Sequence, residues 1–217
     1  MTQVMLLSKE EDVVFDVIQD YMNNNRVFKT DKIVPFIRNN FSRNCMNINE
    51  KGIRAIVEAL VEKKVIIQGS KITKAIVLQN SNRRKIYNFI KDNPGLYLNR
   101  LIKDLNLPNH VITWHVDILV KFGLIKTQTF DRHETYFHPK IKPSDYQGIY
   151  IISKMKSKNI LTYIDSKPKG TTKTSISKNL GIHYNTVSKY IALLEKSGII
   201  RSEKLSNKTL YFINKKL

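Results

Sequence analysis

The sequence is poor in features that several functional classes require. It holds one cysteine, Cys45, in 217 residues, so an intramolecular disulfide framework and a four-cysteine zinc site are both excluded. Its longest apolar runs, such as Val4-Met5-Leu6-Leu7, are four residues long, whereas a membrane-spanning helix needs about 20 apolar residues and a signal-peptide core about 7 to 15. We therefore expect a cytoplasmic protein without membrane association. We expect Cys45 to be a partly buried packing residue and not a redox sensor.

Glycine and catalytic motifs are scarce as well. The eight glycines leave few tight cradles for ligands, and the sequence contains no glycine-rich phosphate loop, no GxSxG and no carboxylate pair spaced for acid–base work. Of the five histidines, His110 and His115 lie on one predicted helix about 140° apart, so they cannot share an ion. We predict a protein that is not an enzyme and that holds no metal and no cofactor.

Positive charge is what the sequence has in excess. The formal net charge is +19 and the pI is near 9.9, a balance that attracts polyanions and nucleic acid first of all. A lysine-biased genome would produce a similar excess, spread evenly along the chain. Here residues 1–80 carry +3, residues 81–145 carry +5 and residues 146–217 carry +11. The gradient favours a functional role for the charge in the last third.

An apolar pattern occurs three times along the chain. Each copy has apolar residues at i, i+4 and i+7, which is one face of an α-helix, and a leucine followed five and six positions later by two aliphatic residues. The helical positions are Ile53, Val57 and Leu60, then Ile112, Val116 and Leu119, then Val187, Ile191 and Leu194. We therefore predict three modules with the bounds 1–80, 81–145 and 146–217.

Each central helix is predicted to follow two other helices and to precede a β-hairpin, giving a mainly α fold with small β-hairpins (α+β). For the last module the predicted helices cover 159–165, 172–180 (capped by Thr172 or Thr174) and 184–197, with strands over 199–205 and 209–213. For the middle module they cover 83–92, 98–105 and 109–122, with strands over 124–130 and 135–138. For the first module a capping box of Ser8 and Glu11 begins one helix, others cover 30–40 and 49–63, and strands cover 65–68 and 72–78.

This order of elements, with a glycine turn before the third helix, resembles the winged helix-turn-helix. The string Leu180-Gly181-Ile182-His183-Tyr184-Asn185-Thr186-Val187, continued to Gly198-Ile199-Ile200, resembles the DNA-reading segment of bacterial and archaeal MarR-type and ArsR-type regulators. So does Leu105-Asn106-Leu107-Pro108, continued through Thr113-Trp114-His115-Val116 to Gly123-Leu124-Ile125. The first module matches in outline only. The whole arrangement resembles tandem winged-helix proteins of archaea, and the resemblance implies DNA binding.

In a helix-turn-helix the second helix lies in the major groove with its N-terminal residues at the base edges. Opposite the core face of the last module stand small, hydrogen-bonding or cationic side chains, which suit base edges and phosphates. The residues predicted to contact DNA in this module are Tyr184, Asn185, Thr186, Ser188 and Lys189 on the helix and Lys204, Asn207 and Lys208 on the wing.

The equivalent helices of the other two modules are less suited to DNA. In the middle module Asp117 would repel phosphates, and Trp114 either faces DNA or packs on another copy or subunit. The predicted contacts there are Asn109, His110, Thr113 and the wing residue Arg132, which can enter a minor groove. In the first module Glu58 and Glu62 argue against DNA.

These patterns predict a nucleoid-associated transcriptional regulator that binds double-stranded DNA in a sequence-specific manner. The last module would be the principal DNA-binding module, and the first would serve for homodimerisation or for contact with a protein partner. Two alternatives stay open: a winged-helix interaction scaffold, as in the ESCRT-II complex or a transcription-machinery subunit, and non-specific chromatin-type DNA coating. The run Lys154–Lys158 is interpreted as phosphate attraction or a solvated linker.

Overall fold

The structure is a computed structural model that describes residues 7–24, 26–43 and 48–214. Cys45, whose partial burial was predicted, lies outside these ranges. Packing divides the chain into two compact units, of which the first comprises Met1–Tyr87 with Thr113–Leu124 and the second comprises Asn88–Ile112 with Ile125–Leu217. The module bounds at residues 80 and 145 stay predictions.

Short helices dominate the described residues, with two small antiparallel sheets, so the predicted α+β class is confirmed. The helices are α1 (Lys9–Asn23), α2 (Thr30–Arg43), α3 (Glu50–Glu62), α4 (Lys74–Val77), α5 (Ser81–Asp92), α6 (Leu98–Leu105), α7 (Asn109–Lys121), α8 (Tyr146–Ser153), α9 (Met155–Asp165), α10 (Lys173–Leu180) and α11 (Tyr184–Lys196). The strands are β1 (Leu96–Tyr97), β2 (Lys126–Phe130), β3 (His133–Phe137), β4 (Ile200–Leu205) and β5 (Lys208–Ile213), and a 3₁₀ turn covers Pro143–Asp145.

The first unit has a core formed by α1, α2 and α3. The predicted capping box is confirmed, because the Ser8 hydroxyl accepts from the Glu11 amide at 3.2 Å and the Glu11 carboxylate accepts from the Ser8 amide at 2.9 Å. The same carboxylate accepts from Lys63 Nζ at 2.6 and 2.7 Å, which ties the start of α1 to the end of α3. The predicted core positions of α3, Ile53, Val57 and Leu60, are fully buried.

The prediction of a hairpin after α3 is wrong. Residues 65–78, all of them described, form turns and the helix α4. Val65 and Ile66 are adjacent and both fully buried, and the Val65 amide donates to the Leu60 carbonyl at 2.9 Å, which continues the turn at the end of α3. The backbone of this segment bonds instead to the loop before α2. The Phe28 amide donates to the Ser70 carbonyl at 2.8 Å and the Gly69 amide donates to the Phe28 carbonyl at 2.9 Å.

The second unit contains both sheets. One has the antiparallel order β1-β3-β2 and the other pairs β4 with β5. The β2–β3 turn is Asp131-Arg132, shorter than the predicted 131–134, because Phe130 pairs with His133. Both turn residues are left-handed, with φ of +46° and +65°, as a type I′ hairpin requires.

Helix α8 was not predicted, and it packs on the β2–β3 hairpin within the second unit. Tyr146 stacks on Phe137 with ring centroids 3.9 Å apart, and Tyr150 stacks on Phe130 at 4.8 Å. The interpretation of Lys154–Lys158 as a solvated linker is wrong, because Met155 already begins α9 and Lys154 forms an ion pair with Asp131. The aromatic stack joins the hairpin to the helices that follow it.

Three helices of the second unit, α9, α10 and α11, share one core. Its buried residues include Ile160, Ile164, Ile176, Val187, Ile191 and Leu194. Thr172 caps α10 by accepting from the Ser175 amide at 3.2 Å, and Gly181 ends it with φ +62°. The predicted helix–turn–helix–hairpin order is therefore confirmed in this region.

Candidate nucleic-acid interface

Helix α11 presents the exposed face that its sequence predicted. Val187, Ile191 and Leu194 face the core with no exposed surface, which turns the opposite side of the helix outward. The exposed residues of that side are Asn185, Lys189, Ala192 and Lys196, and Thr186 and Ser188 are half-buried beside them. The helix therefore offers an amide, two ammonium groups and two hydroxyls along one edge, with a methyl group between them.

The N-terminal turn of α11 is arranged for contact with an anion or a base edge. His183 precedes the helix, and its Nδ1 accepts from the Asn185 amide at 3.2 Å. Tyr184 is 47% exposed, which is unusual for so large a side chain. The Thr186 and Val187 amides donate to the His183 carbonyl at 2.9 and 3.1 Å, and the partial positive charge of the helix N-terminus favours a nearby anion. The predicted contact residues Tyr184 and Asn185 thus stand at the end of the helix that approaches DNA in helix-turn-helix proteins.

The β4–β5 wing carries its predicted contact residues at its tip. Lys204, Asn207 and Lys208 are all exposed. In the strand register Leu205 pairs with Lys208 and Lys204 pairs with Thr209, so the two lysines leave opposite faces of the hairpin. The wing therefore directs one cationic side chain to each side.

The β2–β3 turn of the second unit exposes both of its residues, Asp131 and Arg132. Asp131 accepts hydrogen bonds from Lys154 Nζ and, at 3.3 Å, from the Tyr150 hydroxyl. The hydrogen bond from Lys154 is the main cause that lowers the pKa of Asp131, and the charge of Lys189 lowers it further. The charge of Lys189 on α11 therefore acts on Asp131, and the neighbouring Arg132 is exposed.

Sequence reasoning missed the part played by Asp131. Its carboxylate forms an ion pair with Lys154 and accepts a hydrogen bond from the Tyr150 hydroxyl, so it ties the β2–β3 turn to the end of α8. No local sequence pattern indicates this role. Its partner Tyr150 lies on α8, which was not predicted, and its partner Lys154 is the residue after that helix.

Apart from Arg132, the predicted contacts of the middle region lie on α7. Asn109 and His110 begin α7, Thr113 follows one turn later, and all three are exposed. Trp114 is 57% exposed, whereas its neighbour His115 is buried. On α3 the outward side chains include Glu58 and Glu62, both exposed.

Two further observations bear on other kinds of site. Within the described ranges, no three histidine, cysteine, aspartate or glutamate side chains come together in a way that would hold a metal ion. The helices of these ranges are also each too short or too polar to cross a membrane.

Comparison with known proteins identifies the class of this region. Residues 156–201 match the family model described as winged helix-turn-helix DNA-binding. The match runs from the second residue of α9 into β4, so it contains α10, the Gly181 turn and α11. This segment is a winged helix-turn-helix DNA-binding domain.

A longer stretch of the chain is similar to a named protein. Over 170 residues, 77% of the chain, it is 34% identical to an uncharacterized HTH-type transcriptional regulator of Methanocaldococcus jannaschii. The aligned part is 43% of that protein, so the chain spans less than half of its relative's length. The relative is archaeal, as the resemblance seen in the sequence implied. That residues 1–80 and 81–145 are further winged helices stays a prediction.

Proposed function

We propose that this protein is a transcriptional regulator that binds double-stranded DNA in a sequence-specific manner through α11. The observation that carries the proposal is the outward edge of α11, where Asn185 and Lys189 lie exposed within the winged helix-turn-helix domain. Asparagine can bond an adenine edge in two places, and lysine can reach guanine or a phosphate. The name of the archaeal relative supports the same role.

Phosphate contacts would come from lysines around this edge. Arg132 on the β2–β3 turn, which can enter a minor groove, is exposed. The exposed lysines are Lys204 and Lys208 on the wing and Lys196 at the end of α11. They position the protein without reading sequence, whereas Asn185, Thr186, Ser188 and Lys189 supply the selectivity. Each phosphate that a lysine neutralises releases about 0.9 counterion, so affinity should fall steeply with salt.

The central experiment compares Lys189→Ala with Lys51→Ala. Both lysines are exposed, and both substitutions remove one positive charge, but Lys51 lies on the acidic face of α3. A duplex selected from a random pool and an unselected duplex are titrated with each protein at several salt concentrations. We expect Lys189→Ala to weaken binding to the selected duplex by about 5- to 150-fold and to reduce its preference over the unselected one. Lys51→Ala should change neither.

Full affinity and unchanged preference in Lys189→Ala would contradict the assignment of α11. Failure of selection to yield a preferred duplex would favour non-specific DNA coating. Absence of binding to either duplex at low salt would favour the interaction scaffold.

The finer features of the proposal concern assembly. We propose that the regulator is a nucleoid-associated homodimer whose two copies of α11 lie about one helical turn of DNA apart, or a multiple of it. Residues 1–80 would then serve for dimerisation or for a protein partner, which the exposed Glu58 and Glu62 favour over DNA. The protein would act by binding and would catalyse no reaction. Sedimentation of the protein with and without a palindromic duplex tests the dimer.

A further inference from the structure

Trp114, on the part of α7 that belongs to the first unit, is the largest exposed apolar side chain of the described residues. It is 57% exposed, although tryptophan side chains are highly buried on average. The buried Arg83 supports the indole, because its Cζ lies 5.7 Å from the centre of the ring in a cation–π contact. The ring is therefore held in place while more than half of the residue stays exposed to another molecule.

A cavity of about 270 Å³ lies next to this tryptophan within the same unit. It is lined by Trp114 and Arg83, by the segment Ile67–Ile72, and by Ile118, Lys121 and Phe122. The volume is just below the roughly 300–1,000 Å³ of pockets for drug-sized ligands, so it suits one large side chain of a protein partner. Aromatic side chains that enter such pockets supply much of the binding energy of protein interfaces.

Two opposite charges share the outer face of α7 with Trp114. Asp117 and Lys121 lie three and seven residues after it, so the three side chains follow one side of the helix, and all three are exposed. Among the described residues, neither Asp117 nor Lys121 forms an ion pair. The face therefore offers one carboxylate and one ammonium group to a partner, and its carboxylate opposes DNA phosphates.

The order of these charges is complementary to itself. Asp117 precedes Lys121 by about 6 Å along the helix axis, so a second, antiparallel copy of α7 can place each Asp117 opposite the partner's Lys121. In that alignment each Trp114 lies beside the end of the partner's helix, where the partner's Phe122 lines the cavity. A two-fold contact of this kind forms both ion pairs and fills both cavities.

We propose that the face of α7 from Trp114 to Lys121 is the surface through which two copies of this chain dimerise. The two helices pack antiparallel about a two-fold axis, with Asp117 paired to the partner's Lys121 and Trp114 inserted at the partner's cavity. The cavity wall Ile67–Ile72 brings residues 1–80 into the same contact. This inference rests on the homodimer of the proposed function and assigns its surface.

The charge pattern permits a test with two complementary variants. Asp117→Lys places like charges opposite each other twice in a homodimer, and so does Lys121→Asp. We expect each variant alone to dimerise at least about tenfold more weakly than the wild type in sedimentation equilibrium at low salt. An equimolar mixture of the two should form dimers again, because every contact then joins opposite charges. Asp20→Lys, at an exposed position of α1, is the matched control and should dimerise as the wild type does.

The contribution of the indole is tested separately. Trp114 is the single tryptophan of the chain, so we expect the fluorescence emission of the wild type to shift to shorter wavelength as rising concentration buries the ring. Trp114→Ala should weaken dimerisation by about 30-fold or more, as truncation of an interface hot spot does. Met155→Ala truncates a side chain that is 60% exposed in the second unit, and it should leave the dimer unchanged.

A chain that stays monomeric at every concentration would overturn this surface and the homodimer together. A dimer that persists in Trp114→Ala and in both charge variants would overturn the surface alone. Failure of the mixed charge variants to pair would overturn the antiparallel arrangement, and a tryptophan response of a monomeric protein to added duplex would assign Trp114 to DNA. Lys189→Ala should keep the dimer, and Trp114→Ala should still bind a duplex with one half-site, so dimerisation and DNA binding can fail separately.

Discussion

Helices α3 and α11 have the same core pattern and opposite outer faces. Leu60 and Leu194 occupy equivalent positions, and both are fully buried. On the outside, α11 exposes Lys189 where α3 exposes Ala55, and α3 adds two glutamates. After α11 the chain enters the β4–β5 hairpin, whereas after α3 it enters turns. A shared apolar pattern therefore determines a helix and its buried side, but neither the element that follows it nor the surface that it presents.

The largest expected effect on stability comes from truncating the buried leucines at the shared core positions. Leu60→Ala and Leu194→Ala each remove a fully buried leucine, so each should cost about 2–5 kcal/mol of unfolding free energy. Because the residues belong to different cores, we expect Leu60→Ala to increase amide exchange in α1–α3 and Leu194→Ala to increase it in α9–α11. Only Leu194→Ala should also weaken DNA binding. Uniform exchange across both regions in either variant would show that the two cores unfold together.

The next largest expected effect is a cost in unfolding free energy that depends on pH in the first unit and not in the second. The hydrogen bond from Lys63 is the main cause that lowers the pKa of Glu11, so this group stabilises the fold above its unfolded pKa of about 4.3. That contribution is lost as the pH falls through the lower, folded pKa. We expect Glu11→Gln to cost about 1–2 kcal/mol near neutral pH and less below pH of about 4, as measured by urea denaturation.

Thr172→Ala is the matched control in the other region, because it removes a helix cap that has no titrating group. It should cost about 0.5–2 kcal/mol at every pH. A cost of Glu11→Gln that did not change between neutral and acid pH would refute the role of the ion pair.

The smallest expected effect on stability is at the C-terminal ends of α3 and α11. Lys64 and Gly198 occupy equivalent positions after α3 and α11, with φ of +55° and +68°. A residue with a side chain is strained in this conformation and glycine is not. Gly198→Ala should therefore cost about 1 kcal/mol through backbone strain alone, because an added Cβ meets no atom within 4 Å. Lys64→Gly should gain about 0.5–1 kcal/mol, and a loss of stability there would argue against strain at Lys64.

Periodicity predicted the helices well, because buried apolar residues recur at the helical spacing in α3, α7 and α11. It failed after α3, where Val65, Ile66 and Ile72 suited a strand, but where the backbone bonds to Phe28 in a distant segment. The exposed edge of α11 followed from its core positions by simple rotation. The Asp131 turn and the cavity at Arg83 could not be predicted, since each depends on groups that only tertiary packing brings together.

The aromatic stack between the β2–β3 hairpin and α8 has a consequence for the spacing of contacts on DNA. The stacks of Phe130 on Tyr150 and of Phe137 on Tyr146 join the hairpin to α8. Helix α8 in turn contacts α11 within the same compact unit. If Arg132 and α11 both contact DNA, as proposed, the distance between the two contacts along the duplex is constant. Each inserted base pair rotates the far contact by about 34–36° around the DNA axis. Target sites should therefore tolerate changes of base between the two contacts far better than a change in their number.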